Sequence, residues 1–227
     1  MSDERLLHIL RRLVEADPGG GTEGLCRVSA EVVEVSGAGI MLMSTDPYPR
    51  GSLCSTDTVS ALIEDLQFTL GEGPCVDAYR EDRVVTEADL AAPSNPRWLA
   101  LDPAMVRAGA RAAFGFPLRV GAIRLGALNL YQDHPGPLRE GQHSDALAMA
   151  YVAARVIMSS GSVAPGLATR SGTEFHLVVH QAAGMISVQL GVSPAEALVR
   201  LRARAFAADT TVDTVAAEIV ARRSGFD

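Results

Sequence analysis

Apolar residues Leu6, Leu7, Ile9, Leu10, Leu13 and Val14 fall on one helical stripe, with Arg11, Arg12 and Glu15 off it. They predict an amphipathic helix ahead of the break at Asp17-Pro-Gly-Gly-Gly21. A second helix is expected from about Glu23 to Val35, and the apolar run Gly39–Met43, ending at Ser44-Thr-Asp-Pro47, reads as a buried strand. Thr58–Phe68 and Pro74–Arg80 read as helices, the second with Pro in its first turn. From Arg111 to Val120 the period changes to two. Ala112, Phe114, Phe116, Leu118 and Val120 share one face, Arg111 and Arg119 take the other, and Pro117 points to an edge or bulged position. A turn at Gly121 leads into Ile123–Tyr131, so the pair reads as an antiparallel hairpin. Leu138–Met158 is a long helix with Ala146, Leu147, Ala150, Tyr151, Ala154 and Ile157 on one face. Helices that do not alternate regularly with strands, and a late hairpin, predict an α+β domain around an antiparallel sheet.

Residues 159–173, SSGSVAPGLATRSGT, carry neither period and read as a flexible linker. Three short helices follow. Glu174–Leu190 stops at Gly191, and Ser193-Pro194-Ala195-Glu196 is a capping box with Pro at the first helical position. The helix that it opens runs to about Ala207 and turns Ala197, Leu198, Leu201 and Ala205 inward. Thr210-x-x-Asp213 reads as a second box, ahead of an inner stripe of Val212, Val215, Ala216, Ile219 and Val220. The chain thus divides into an α+β domain (1–158), a linker (159–173) and an all-α three-helix bundle (174–227).

Hydrophobic residues make up 48% of the 227 and charged ones 21%, which excludes a largely disordered chain. The net charge of −7 does not by itself announce a nucleic-acid binder. It is unevenly spread: residues 1–174 hold fifteen Arg against twenty-two carboxylates, whereas 175–227 hold five of each. No apolar run is long enough to span a bilayer, and three scattered Cys (Cys26, Cys54, Cys75) argue against a secreted disulfide scaffold or a structural zinc site. A cytoplasmic protein that does not engage a membrane is expected.

Little of this sequence invites catalysis. Gly71-Glu-Gly-Pro-Cys75 lacks the glycine spacing and the G-K-[ST] of a nucleotide loop, and Pro74 removes an amide that a phosphate would want. His176 and His180 stand four apart on one helix but have no third ligand, so no metal is expected. No G-x-S-x-G elbow anchors a nucleophile, and Glu64-Asp65 and Glu81-Asp82 read as solvated faces. Neither an enzyme nor a cofactor protein is expected.

The last fifty residues carry a resemblance. Gln181-Ala-Ala-Gly-Met185, Leu190-Gly-Val-Ser-Pro-Ala-Glu-Ala197, Leu201-Arg-Ala-Arg-Ala205 and Val215-Ala-Ala-Glu-Ile219 resemble the ANTAR domain, a three-helix RNA-binding module of bacterial antitermination regulators. Leu70-Gly-Glu-Gly-Pro-Cys75, Trp98, Phe116-Pro-Leu118 and Leu125–Leu130 are similar to the GAF domains that precede ANTAR in actinobacterial regulators. The resemblance implies a GAF-like antiparallel sheet flanked by helices, then a bundle that binds paired hairpins in leader transcripts. It also implies a homodimer and an unidentified small-molecule effector.

Arg200, Arg202, Arg204, Arg222 and Arg223 are the candidate RNA contacts, and Arg200 and Arg204 share a helix face. Cys75, Trp98, Phe114 and Phe116 are the candidate ligand-pocket residues. Dimerisation is expected through the apolar stripes of Leu6–Val14 and Leu138–Met158. The chain departs from the family at Ala183, where a basic residue is common, and at the turn Ala208-Asp-Thr-Thr211, which is usually basic. These departures keep open an alternative: a ligand-binding or protein-interaction dimer whose helical tail does not bind RNA. A DNA-reading helix-turn-helix is disfavoured, because Pro194, Ala195 and Ala197 offer base edges no hydrogen bonds.

Overall fold

The computed structural model describes residues 3–19, 22, 24–43, 49–93, 96–160, 176–208 and 210–222. The expected turn at 44–47 and most of the expected linker lie outside these residues. Contacts divide the chain into two units, Met1–Glu174 and Phe175–Asp227.

The first unit runs α1 (Asp3–Ala16), α2 (Leu25–Val33), β1 (Gly37–Met43), β2 (Pro49–Ser55), α3 (Thr58–Leu70), α4 (Pro74–Glu81), β3 (Val85–Glu87), α5 (Leu101–Ala108), β4 (Ala112–Val120), β5 (Ile123–Gln132) and α6 (Glu140–Ser159). Its five strands form an antiparallel sheet in the order β2-β1-β5-β4-β3. The fold is α+β, with helices on both faces. β4 and β5 pair from Ala112↔Gln132 to Val120↔Ile123 with a register shift at Leu118/Arg119. β3 pairs only with Ala113–Gly115, so the half of β4 that holds Pro117 has no strand on that side. A proline without an amide to donate fits that position.

Alternation on β4 decides what each face carries. Phe116 meets the His143 ring of α6 at 5.5 Å, which puts Phe114 and Phe116 on the α6 side. Gly115 faces the other way, where a Cβ would come within 2.2 Å of the Pro74 carbonyl of α4. Helix α6 is tied to α1 by the Arg5–Asp145 ion pair and to α2 by Gln142 Nε2, which donates to the carbonyls of Val33 (3.0 Å) and Glu34 (2.9 Å).

β2, β3 and α5 escape the sequence pattern. β2 has no clean alternation, and its pairing with β1 shifts register twice. β3 is three residues long. α5 receives its cap from outside, because Glu72 Oε1 accepts from the amides of Ala100 (3.3 Å) and Leu101 (3.1 Å). Cys26 of α2 and Cys54 of β2 form a disulfide with a Cα–Cα distance of 5.9 Å, leaving Cys75 as the free thiol. The expectation of no disulfide scaffold left this single bond unread, because pairing across two elements that are adjacent only in the fold leaves no spacing signal.

The second unit comprises α7 (Leu177–Leu190), α8 (Pro194–Ala207) and α9 (Val212–Val220). The predicted inner stripes are buried except at Val220, which is half-buried: Ala197, Leu198, Leu201 and Ala205 on α8, and Val212, Val215, Ala216 and Ile219 on α9. Ser193 Oγ accepts from the Glu196 amide (3.1 Å) as expected, but the Glu196 carboxylate takes Arg200 at 2.5 Å. The second cap is Thr211 rather than Thr210; its Oγ1 accepts from the Thr214 amide at 3.2 Å. Asp213 is thereby released to pair with His176 Nδ1 at 2.7 Å, joining the start of α7 to α9. No single described helix is long and apolar enough to cross a membrane.

Candidate functional site

A polar cluster lies on the α3/α4 side of the sheet. Ser60, Ile63, Glu64, Gln67 and Phe68 form the buried stripe of α3, so a glutamate and a glutamine occupy core positions. Gly39 on β1 makes the room, since a Cβ there would stand 2.5 Å from Glu64 Oε1. Asn129 Nδ2 donates to Glu64 Oε1 at 2.6 Å, whereas Glu64 Oε2 has no hydrogen-bond partner. Burial pushes the Glu64 carboxyl up to about 8, against the opposing pull of the Asn129 bond, and Asp65 adds to the rise. Glu64 is therefore mainly a neutral acid near pH 7.

Beside it is a void of about 10 Å³, lined by Gly39, Ser60, Ile63, Glu64, Ala113, Asn129, Leu130 and Tyr131. That is room for about one water. The wall near β2 is a hydrogen-bonded corner. Asp57 caps α3 by accepting from the Ser60 amide (2.7 Å) and also takes Tyr131 Oη (3.1 Å), while Thr56 Oγ1 accepts from the Ala38 amide (3.0 Å). Burial, then the charge of Asp57, pushes the Tyr131 hydroxyl up to about 12. Gln67 Oε1 accepts from the Cys75 amide at 2.9 Å, linking α3 to α4. Burial first, and the Glu64 charge second, hold the Cys75 thiol well above its ordinary range, so it is not a nucleophile.

Glu64 corrects the reading of a solvated acid: it is 1% exposed. Its position in the apolar period of α3 was the signal in the sequence. The four predicted pocket residues do not form one pocket. Cys75 and Trp98 belong to the α4 side, where Trp98 Nε1 donates to Asp77 Oδ2 at 2.9 Å, whereas Phe114 and Phe116 pack on the α6 side. All four are buried and none lines the void; strand alternation turns Phe114 and Phe116 together to the α6 side, and the sheet parts them from Cys75. Asp102, near Glu72 and Glu87, is a second buried acid; burial and then the charges of Glu87 and Glu72 raise it to about 6. Among the described residues no group of three or more His, Cys, Asp or Glu could hold a metal.

In the second unit an open groove of about 740 Å³ runs between α7 and α9, lined by Gln181, Gly184, Met185, Val188, Gln189, Ile219 and Arg222. The predicted RNA contacts differ in exposure. Arg200 is exposed and paired with Glu196, Arg204 is half-buried, and Arg222 is exposed at the groove. Arg202 is a correction. It is 8% exposed, because it stands four residues after Leu198 and three before Ala205, on the flank of the buried stripe of α8. Arg223 lies outside the described residues. The sequence reading missed Gln181 and Gln189 as groove residues, although they stand eight apart on α7 and so lie near one face.

The first unit's strand order and layering have counterparts among solved structures. The chain is similar to the GAF domain from an Acinetobacter phosphoenolpyruvate-protein phosphotransferase, with 14% identity, coverage of 73% of this chain and 99% of that chain, and a TM-score of 0.51. It is likewise similar to the GAF domain of the same kind of protein from Coxiella burnetii, at 16% identity, 71% and 98% coverage and a TM-score of 0.51. The fold is that of a GAF domain. A third similar structure is a far-red absorbing dark state with bound biliverdin IXα, at 10% identity, 69% and 98% coverage and a TM-score of 0.50. No family model matches the chain, and no curated protein matches it.

Proposed function

We propose that the chain is a signal-responsive regulator in which the GAF-fold unit senses a small effector and the helical unit binds paired RNA hairpins in antitermination. The observation that carries the RNA half is the α7/α9 groove. Gln181, Gly184 and Met185 in its wall are residues of the ANTAR-like signature, and Arg222 brings a cation to its rim. Amide side chains for base edges, an apolar floor for a base face and a guanidinium for phosphate suit an unstacked loop base. With two carboxylates, Glu196 and Asp213, already tied to Arg200 and His176, the module's affinity rests on few cations and is steeply salt-dependent. A homodimer compensates by doubling the contacts. Exposed Leu7, Leu10 and Val14 on α1, and Leu147 and Tyr151 on α6, supply an apolar face for it.

On the sensor side the void next to Glu64 favours a very small polar effector. A bilin, of the kind held by the third similar structure, needs several hundred Å³. The reading assigns no catalytic step. It is tested by gel-shift titration of the full chain against a two-hairpin leader transcript at about 50 and 200 mM salt. A shift at the lower salt that weakens at the higher supports it, and no shift at the lower salt removes it. The second reading is a protein-interaction dimer with a helical tail that does not touch RNA. Val188 (84% exposed) and Phe206 (67%) favour it, since large apolar side chains that open to solvent suit a protein partner. Analytical ultracentrifugation of full-length protein that fails to bind the transcript tests the dimer by itself.

A further inference from the structure

The Cys26–Cys54 bond ties α2 to the edge strand of the sheet on which that helix packs. Cys26 is 1% exposed in the first turn of α2, on the α6 side. Cys54 is half-buried on β2, the edge strand, and pairs with Ile40 of β1. Two residues beyond Cys54 begins the corner that borders the void: Thr56 bonds Ala38, Asp57 caps α3, and Ser60 and Glu64 follow on that helix. β2 is weakly registered, with shifts at Ile40/Met41 and Leu42/Met43, so the covalent bond is its firmest tie to α2.

We propose that this bond is a thiol–disulfide exchange site for a cellular dithiol, and that its reduction loosens β2 and the α3 corner around the void. The sulfur open to attack is that of Cys54, at the sheet edge. A thiolate of the dithiol attacks Cys54 Sγ, the S–S bond breaks, and Cys26 leaves with the electron pair and takes a proton. The second thiol of the dithiol then attacks the mixed disulfide and releases Cys54, so two electrons and two protons pass from dithiol to protein. Cys26 is suited to leave. Access decides this: at 1% exposed its sulfur is closed to attack, and its place in the first turn of α2 sets it near the positive end of that helix. Cys75 takes no part, being fully buried and far from acidic. The regulatory meaning rests on the proposed RNA function, because a transcript-binding protein works among reducing thiols, where a lasting disulfide is uncommon and a reversible one serves sensing.

Cys75 is the natural reporter, since its amide is held by Gln67 of α3. Full-length protein is equilibrated with glutathione disulfide or with dithiothreitol. Thiols are counted after denaturation, and Cys75 alkylation is timed in the native state by peptide mass spectrometry. The oxidised form should show one thiol and slow Cys75 labelling. The reduced form should show three thiols and labelling faster by about tenfold or more, reversed on reoxidation. A Cys26→Ser, Cys54→Ser variant should label fast in both conditions; if it does not fold, the wild-type pair of conditions carries the test. Three thiols after glutathione disulfide, or equal Cys75 rates in the two forms, would overturn the proposal. Gel shifts in parallel separate the two ideas: no RNA binding in either state, with Cys75 rates still tracking the bond, removes the RNA reading and leaves the exchange site.

Discussion

Replacing Glu64 by Gln isolates the cost of holding an acid in the core. The substitution keeps the shape and the Oε1 acceptor for Asn129, and it removes the titration. In the unfolded chain the carboxyl ionises near 4.5, whereas in the fold it ionises at about 8. Between those values the folded state holds a proton that the unfolded state has lost, so stability falls as pH rises from about 4.5 to about 8 and then levels. That gap corresponds to about 5 kcal/mol at its full extent. A glutamine side chain carries no such slope, so the Glu64→Gln variant should gain on the wild type by about 3–5 kcal/mol between about pH 5 and pH 8.5. Trp98 is the sole tryptophan, is 2% exposed and lies in the sensor unit, so its fluorescence in urea reports that unit alone. Asp102, which is raised to about 6, gives the same slope in both proteins and cancels. Parallel pH curves for wild type and Glu64→Gln would refute the claim that this carboxyl is buried as a neutral acid.

Three further outcomes follow from named contacts. Cys54→Ser opens a crosslink with a sequence separation of 28 and should lower sensor-unit stability by about 3–4 kcal/mol, read by the same urea titration without reductant. Gly184→Ala adds a Cβ that meets nothing within 4 Å, so it should stabilise α7 by about 0.5–1 kcal/mol in a thermal melt followed by circular dichroism. The same methyl narrows the groove and should weaken the transcript gel shift, whereas Gly141→Ala, equally open on α6, should leave it unchanged. Arg202→Ala should cost the bundle about 1–3 kcal/mol, because it empties a buried position, whereas Arg200→Ala loses only an exposed pair with Glu196 worth about 0.3–0.5 kcal/mol. Equal melts for the two arginine variants would contradict the buried placement of Arg202.

Period and punctuation in the chain by themselves determined the long elements: the β4–β5 hairpin, α6, and the bundle helices with Ser193 and Gly191 at their ends. Local spacing and capping are properties of neighbouring residues, so they are written in order along the chain. The short pieces β2, β3 and α5 were decided only when strands found partners and Glu72 reached over to cap α5. The candidate site belongs almost wholly to that second class. Glu64 already stood in the apolar stripe of α3, but its neutrality depends on Gly39 and Asn129, which come from two strands far away in sequence. Phe114 and Cys75 looked like partners on paper and were parted by the sheet between them, and Cys26 and Cys54 looked unrelated until α2 packed against the edge strand. Burial and pairing across layers arise from long-range packing, which a one-dimensional pattern does not encode.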